Sequence, residues 1–169
     1  KLVRFYDGTT GLKTGYTSAA GYCLAGAIYA PSYLSFDYAL SCYDMIPEAV
    51  YAYTSATFEK KKAKTYENYF GSFTFRDVPP EAYPLGILIK EENGYIYKIA
   101  SPEKALCDKL YTMPPVTSQK DIERMLLEDI RIDPSDLDRL DTDMIIQFGG
   151  KYHSNNLRYF MKYLERRTV

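Results

Sequence analysis

Hydrophobic residues alternate with polar ones through the middle of the chain, and this spacing predicts β-strands. The runs GILIK and YIYKIA flank the turn residues Asn93-Gly94, which is among the strongest short-range signals for a β-hairpin. The aromatic runs on either side of Gly71 predict an earlier hairpin, which follows a β-rich segment at 49–55 and a lysine-rich loop. We therefore expect the middle of the chain to be antiparallel sheet.

Later in the chain the apolar residues recur at helical spacing. Ser101-Pro102 is typical of an N-cap and the first residue of a helix, and Pro114 would end that helix. Other helix starts are expected at Ser35, Ser118, Asp133, Asp141 or Thr142, and Ser154. Because the sheet comes first and most helices last, the order favours an α+β fold, with an antiparallel sheet of hairpins packed against a C-terminal helical bundle.

The N-terminal segment has a weaker pattern. Residues 2–6 alternate and stop at the turn dipeptide Asp7-Gly8, and several glycines punctuate the stretch that follows. We expect a strand, a turn and a second strand there. The chain begins with Lys1 rather than Met, so we expect a fragment or a processed product.

The composition fits one globular domain. The 169 residues are 46% hydrophobic, which is enough to bury a core at this length and excludes intrinsic disorder as the main state. No run approaches the roughly 18 apolar residues of a membrane span, so we expect no membrane association. Three cysteines and one histidine lack the spacing of a zinc site or a disulfide framework. We therefore expect a cytoplasmic protein without a bound metal or cofactor.

Charge is unevenly distributed, although 21 basic and 22 acidic residues leave a net charge of only -1. Residues 58–64 contain four lysines and one glutamate, a net charge of +3. We call this segment the lysine loop, and its cations could attract a phosphate backbone or an acidic partner. The alternative is a solvated loop that protects a sheet edge from aggregation. The predicted contact residues are Lys60, Lys61, Lys62, Lys64 and Arg76, with Arg166 and Arg167 as further candidates.

Three short segments match signatures of serine D,D-peptidases: KTG at 13–15, S-x-x-K at 101–104 and S-x-N at 154–156. Residues 1–26 resemble the KTG region of D-alanyl-D-alanine carboxypeptidases. KTG alone supplies neither a nucleophile nor an oxyanion donor, and the other two matches occur in the wrong order. Other catalytic constellations are absent from the sequence, so we expect no enzyme. A fragment of a penicillin-binding D,D-carboxypeptidase is an alternative.

A second resemblance covers residues 27–169. The segments PSYLSFDYAL, IPEAVYAYTS, KKKAK, GSFTFR and ASPEKALCD are similar to motifs of the AbiEi family of antitoxins, in the same order and at similar spacing. They occupy residues 31–40, 46–55, 60–64, 71–76 and 100–108. Within the last of them, Ser101, Pro102 and Glu103 are expected to be structural: a cap, a preset backbone angle and an acid at a helix N-terminus.

This resemblance implies the antitoxin of a bacterial type IV toxin–antitoxin system, which acts in abortive infection and phage defence. Such an antitoxin is also a transcriptional regulator that represses its own operon through an N-terminal winged helix. Its toxin is nucleotidyltransferase-like and forms no stable complex with it.

Residues 27–169 would be the antitoxin domain, and the winged helix that binds operator DNA is absent. Residues 1–26 stand in its place as a foreign or fused segment. Weak nonspecific DNA binding through the lysine loop is expected. A protein-interaction scaffold without a DNA role is a further alternative.

Overall fold

Residues 18–167 are described by the computed structural model, and they form six strands and seven α-helices. The strands are β1 (Tyr33–Leu34), β2 (Tyr53–Thr57), β3 (Lys64–Asn68), β4 (Gly71–Asp77), β5 (Ile87–Glu92) and β6 (Tyr95–Ala100). The helices are α1 (Ser18–Ile28), α2 (Phe36–Cys42), α3 (Pro102–Thr112), α4 (Gln119–Arg124), α5 (Pro134–Asp138), α6 (Thr142–Gly149) and α7 (Asn155–Arg167). A π-helical turn, Met125–Asp129, continues α4, and a 3-10 turn, Gly150–Tyr152, follows α6. The predicted α+β class is confirmed.

Both predicted hairpins are present. Strands β3 and β4 pair antiparallel, as do β5 and β6. The second turn consists of Asn93 and Gly94, with φ angles of 52° and 78°. Two successive left-handed residues match the twist of the flanking strands, which is why Asn-Gly is so strong a hairpin signal.

The complete sheet is mixed, and the prediction of an exclusively antiparallel sheet was wrong. The strand order is β3-β4-β2-β1-β6-β5. Strand β4 returns from the β3 turn and inserts beside β2, so these two strands run parallel, with Tyr53 opposite Phe73. Strand β1 pairs parallel with β6 at Leu34 and Ile99. Hairpins are specified by local turns, but the docking of one hairpin against another depends on distant contacts.

The stretch at 18–28 forms helix α1 rather than part of a second strand, so that prediction was also wrong. The helix contacts β6, β1 and β2. Ala25 is buried in this contact, and the Tyr22 ring lies 4.5 Å from that of Tyr97. Helix α1 crosses the boundary predicted at 26/27. The strand predicted at 2–6 and the Asp7-Gly8 turn lie outside the described residues.

Most of the predicted helix starts are confirmed by their caps. Side-chain oxygens of the N-cap residues accept backbone N–H hydrogen bonds at Ser101, Ser118, Asp133 and Asp141. Ser35 precedes α2 as predicted, but its hydroxyl makes no cap hydrogen bond. Ser154 likewise precedes α7, which begins at Asn155. Helix α3 is central, since it contacts α2, α6, α7 and β6. In the described part of the chain, no helix is long and apolar enough to cross a membrane.

Candidate functional site

The lysine loop is held in shape by an acid that the sequence did not single out. Asp77, at the end of β4, accepts hydrogen bonds from the backbone N–H groups of Lys60 at 2.7 Å and Lys61 at 2.6 Å. Its other oxygen accepts from Thr57 Oγ1 at 2.6 Å. Glu59 and Lys61 have positive φ angles of 57° and 64°, a conformation that costs energy outside glycine. Asp77 stabilises this backbone, and its charge lowers the local net charge from +3 to +2.

The four lysines of the loop divide into two pairs. Lys60 and Lys64 place their ammonium groups 5.0 Å from the ring centroid of Tyr29, and Lys60 Nζ donates to the carbonyl of Ala30 at 3.1 Å. The nearby tyrosines Tyr29 and Tyr66 raise the pKa of Lys64. Lys61 and Lys62 are exposed on the loop. The second pair is therefore the better placed to contact a partner.

Arg76 lies on the opposite face of the sheet from Lys64. Lys64 is paired with Phe75, so their side chains share one face, and the next residue along β4 points to the other. On that face Arg76 lines a cavity of about 200 Å³ with Asp37 and Lys109. Arg76 is thus on the other face of the sheet from Lys64.

The C-terminal arginines differ from each other. Arg167 Nε donates to Asp138 Oδ1 at 3.2 Å, and its Nη1 donates to the Tyr163 hydroxyl at 3.0 Å. The contact with Asp138 ties the end of α7 to α5, whereas the contact with Tyr163 lies within α7. Arg166 is exposed. The basic C-terminal helix is therefore partly occupied with internal contacts.

Ser101, Pro102 and Glu103 occupy the positions expected of a helix start. Ser101 Oγ accepts from Lys104 N at 3.2 Å, and Pro102 is the first residue of α3. Glu103 is largely buried and accepts from the backbone N–H of Asp141 at 3.3 Å. Its carboxylate therefore joins the start of α3 to the start of α6.

A fully buried ion pair begins at the next residue of α3. Lys104 Nζ is 3.1 Å from Asp108 Oδ1, and both side chains have no exposed surface. The ammonium also donates to the carbonyl of Ala82 at 2.8 Å and to the Tyr152 hydroxyl at 2.6 Å. Every donor of Lys104 thus has a partner, which is the condition under which a buried charge is tolerated.

The Asp108 carboxylate accepts hydrogen bonds from three side chains outside α3. Tyr33 OH of β1 donates to Oδ2 at 3.0 Å and Ser35 Oγ donates to the same oxygen at 2.6 Å. Tyr152 OH donates to Oδ1 at 2.5 Å. Burial and the neighbouring carboxylate raise the pKa of both tyrosines well above the usual value. We call these five residues (Tyr33, Ser35, Lys104, Asp108 and Tyr152) the buried network.

Sequence reasoning did not single out this network, although a signal for it exists. Lys104 and Asp108 are spaced i,i+4 on a helix, which normally indicates a surface ion pair. Ala105 and Leu106 between them are apolar and Cys107 is buried, so the helix has almost no solvent side at this point. An oppositely charged pair at i,i+4 spacing within an apolar helix is the sequence signal that could have predicted a buried ion pair. Ser35 was predicted to cap α2, and its hydroxyl is used for Asp108 instead.

Two of the three peptidase-like matches, 101–104 and 154–156, lie in the described residues, and both contain side chains with structural roles. Lys104 Nζ is used by the buried network, and the Ser101 hydroxyl by the helix cap. Asn156 Nδ2 donates to the carbonyls of Leu110 at 2.8 Å and Pro114 at 3.1 Å, which secures the loop after α3. The KTG segment at 13–15 lies outside the described residues.

The three cysteines are free thiols. Burial raises the pKa of Cys107, and desolvation also raises the pKa of Cys23 and Cys42, so none has the depressed value of an activated nucleophile. Among the residues from 18 to 167, no group of three or more His, Cys, Asp or Glu side chains is arranged to hold a metal ion.

Comparisons with known proteins add no relative. Searches against protein-family models, curated proteins and solved structures each returned no match.

Proposed function

We propose that this chain is the antitoxin domain of a bacterial type IV toxin–antitoxin system, similar to the AbiEi antitoxins and contributing to repression of its own operon. The observation that carries the proposal is the series of five AbiEi-like segments between residues 31 and 108, in order and at matching spacing. No single segment is specific, but their common order is.

The contacts of these segments support the proposal. The first segment, 31–40, contributes Tyr33 and Ser35, and the last, 100–108, contributes Lys104 and Asp108. These four side chains belong to one buried network, although about 70 residues separate the two segments. The similarity therefore falls on residues whose identities the packing requires, as expected if the similarity extends to the fold.

The lysine loop is the DNA-contacting surface in this proposal. Lys61 and Lys62 project from a loop whose backbone Asp77 holds in place, so they would meet phosphates without a large ordering cost. Binding would be weak and independent of sequence. Sequence-specific operator binding would need the winged helix that AbiEi-like proteins carry at their N-terminus.

Salt-dependent retention of a duplex tests this surface. Replacing Lys61 and Lys62 with Ala should lower affinity by the same factor for all sequences and should reduce the slope of log K against log salt by about 2, since two phosphate contacts are lost. The matched control is Lys120→Ala with Lys162→Ala, which removes two exposed lysines from α4 and α7. Equal slopes for both double variants would reject the loop as a DNA surface.

One observation favours the protein-interaction alternative. Ile89 and Ile96 are 72% and 65% exposed on the β5–β6 hairpin, at the edge of the sheet. The register of the hairpin puts Ile89 and Ile96 diagonally on one face, so they form a contiguous apolar patch, and such patches mark surfaces that contact other proteins. If duplex retention shows no salt dependence, this hairpin becomes the more important surface.

The proposal includes a cytoplasmic location, where both DNA and a nucleotidyltransferase-like toxin would be present. We also propose that the protein has no enzymatic activity, and that helices α3, α4, α6 and α7 form the bundle that supports the sheet.

Incubation with a labelled penicillin distinguishes the antitoxin proposal from the D,D-carboxypeptidase alternative. We expect no covalent adduct, and a stoichiometric adduct would favour the peptidase.

A further inference from the structure

The cavity that contains Arg76, of about 200 Å³, lies where helices α2 and α3 meet strands β2 and β4. Thr54 of β2 is opposite Thr74 of β4, so their side chains share one face of the sheet, and Arg76 follows two residues later on that face. Asp37 of α2 and Lys109 of α3 line the other side of the cavity. This volume is below the roughly 300–1,000 Å³ of most ligand pockets, so the cavity accommodates one small group.

The charge of the Arg76 guanidinium is not compensated. Among residues 18–167 it has neither an ion pair nor a hydrogen bond, and its partner across the sheet in β2 is the uncharged Ala56. Arg76 is exposed, so a solute can reach it. An arginine has five N–H donors in a planar fork, which matches the oxygens of a phosphate or a carboxylate.

The ion pair between Asp37 and Lys109 leaves one further donor. Lys109 Nζ is 2.6 Å from Asp37 Oδ1 and 2.9 Å from Oδ2, and these contacts occupy at most two of its three N–H groups. The side chains are 23% and 37% exposed, so a ligand can reach the pair. Two cations and one carboxylate give the cavity lining a net charge of +1.

One of the two threonines of the sheet also has a free hydroxyl. Thr54 Oγ1 donates to the carbonyl of Ser35 at 2.6 Å and accepts from the backbone N–H of Tyr38 at 3.1 Å, so this hydroxyl is already used. The Thr74 hydroxyl has no partner among residues 18–167, and it is not one of the hydroxyls sealed from solvent. It therefore adds an accessible neutral donor on the same face as Arg76.

We propose that this cavity binds the phosphate group of a small phosphate monoester, through the Arg76 fork, the Thr74 hydroxyl and the third donor of Lys109. Such a group has nearly two negative charges at neutral pH and three strong acceptor oxygens, which match three donor groups and a net positive lining. A carboxylate, or a phosphodiester of DNA, offers only two free oxygens and one charge. The site involves neither Lys61 nor Lys62 and is independent of the antitoxin proposal.

Titration of the full chain with inorganic phosphate at constant ionic strength tests the site, with binding followed through amide and arginine Nε–H chemical shifts. We expect saturable shifts at Thr74, Arg76 and Lys109, and at least about tenfold weaker binding of acetate. Arg76→Gln should weaken phosphate binding about tenfold or more, because a charged donor is lost. Thr74→Val preserves the shape of the side chain and should weaken it about fivefold, as expected for a neutral donor.

Arg124→Gln is the matched control, since Arg124 is an exposed arginine of α4 outside the cavity lining. This variant, and the variant with Lys61→Ala and Lys62→Ala, should bind phosphate as tightly as the unsubstituted chain. The proposal is overturned if phosphate gives no saturable shifts, if acetate binds equally well, or if Arg76→Gln or Thr74→Val binds phosphate normally. Loss of phosphate binding in the Lys61 and Lys62 variant would place the phosphate on the lysine loop and would also overturn it.

Discussion

At the scale of single residues, the ammonium of Lys104 shows how this core tolerates charge. Its three donors reach Asp108, Tyr152 and the carbonyl of Ala82, and nothing of it is exposed. Removing such a pair from water costs several kcal/mol per ion, which the mutual attraction and the hydrogen bonds must offset. The pair therefore contributes little net stability, but loss of one partner leaves an uncompensated buried charge.

Lys104→Met should accordingly destabilise the protein by about 3–5 kcal/mol in urea unfolding. Lys109→Met is the control, because Lys109 forms a partly exposed ion pair with Asp37 at 2.6 Å, and it should cost about 1 kcal/mol or less. The double variant Lys104→Met with Asp108→Leu should cost less than the sum of its single changes, by about 2 kcal/mol. Equal costs for Lys104→Met and Lys109→Met would refute this account.

The buried network also predicts a loss of stability at alkaline pH. The pKa of Tyr152 is raised above the usual value of 10.0 by burial first and by Asp108 second. Above about pH 10 the unfolded chain releases this proton while the folded protein retains it, so stability present at lower pH is lost as pH rises. Tyr152→Phe removes one such group and should reduce the slope of unfolding free energy above pH 10 by about 1.4 kcal/mol per pH unit. Identical slopes in circular dichroism titrations would contradict this assignment.

At the scale of elements, locally encoded features were predictable. The Asn93-Gly94 turn and the Ser101-Pro102 helix start have signals within a few residues, and both are confirmed. Ser35 illustrates the limit, because its hydroxyl bonds to Asp108, 73 residues away. The parallel pairing of β2 with β4 likewise joins segments that are not adjacent in the sequence. Both depend on contacts between distant segments, which local periodicity does not report.

Gly86, the residue before β5, must be a glycine. Its φ is +63°, and a Cβ atom there would lie 2.8 Å from Lys104 Cβ and 2.8 Å from Phe148 Cε2. Gly86→Ala combines backbone strain with this clash and should destabilise the protein by about 3 kcal/mol. Gly94 has a similar φ of +78° but open space, so Gly94→Ala should cost only about 1 kcal/mol. Thermal unfolding of both variants measures the difference, and equal costs would show that the close approach is unimportant.

At the scale of the whole molecule, the location of the lysine loop was predictable from composition, whereas its geometry was not. A run of lysines is visible in the sequence, but the anchoring by Asp77 and the contacts of Lys60 and Lys64 with Tyr29 require the folded chain. Arg76 was expected to join the loop, and the pairing of β3 with β4 places it on the other face. Helix α1 was not among the predicted helices, because glycines punctuate this part of the chain.

The central claim is antitoxin activity, and a growth assay tests it most directly. The nucleotidyltransferase-like reading frame expected beside this gene is expressed from one plasmid and this chain from another. We predict that the neighbouring frame alone arrests growth and that coexpression of this chain restores it. An empty vector should not restore growth. Continued arrest, with this chain present in soluble and folded form, would contradict the account.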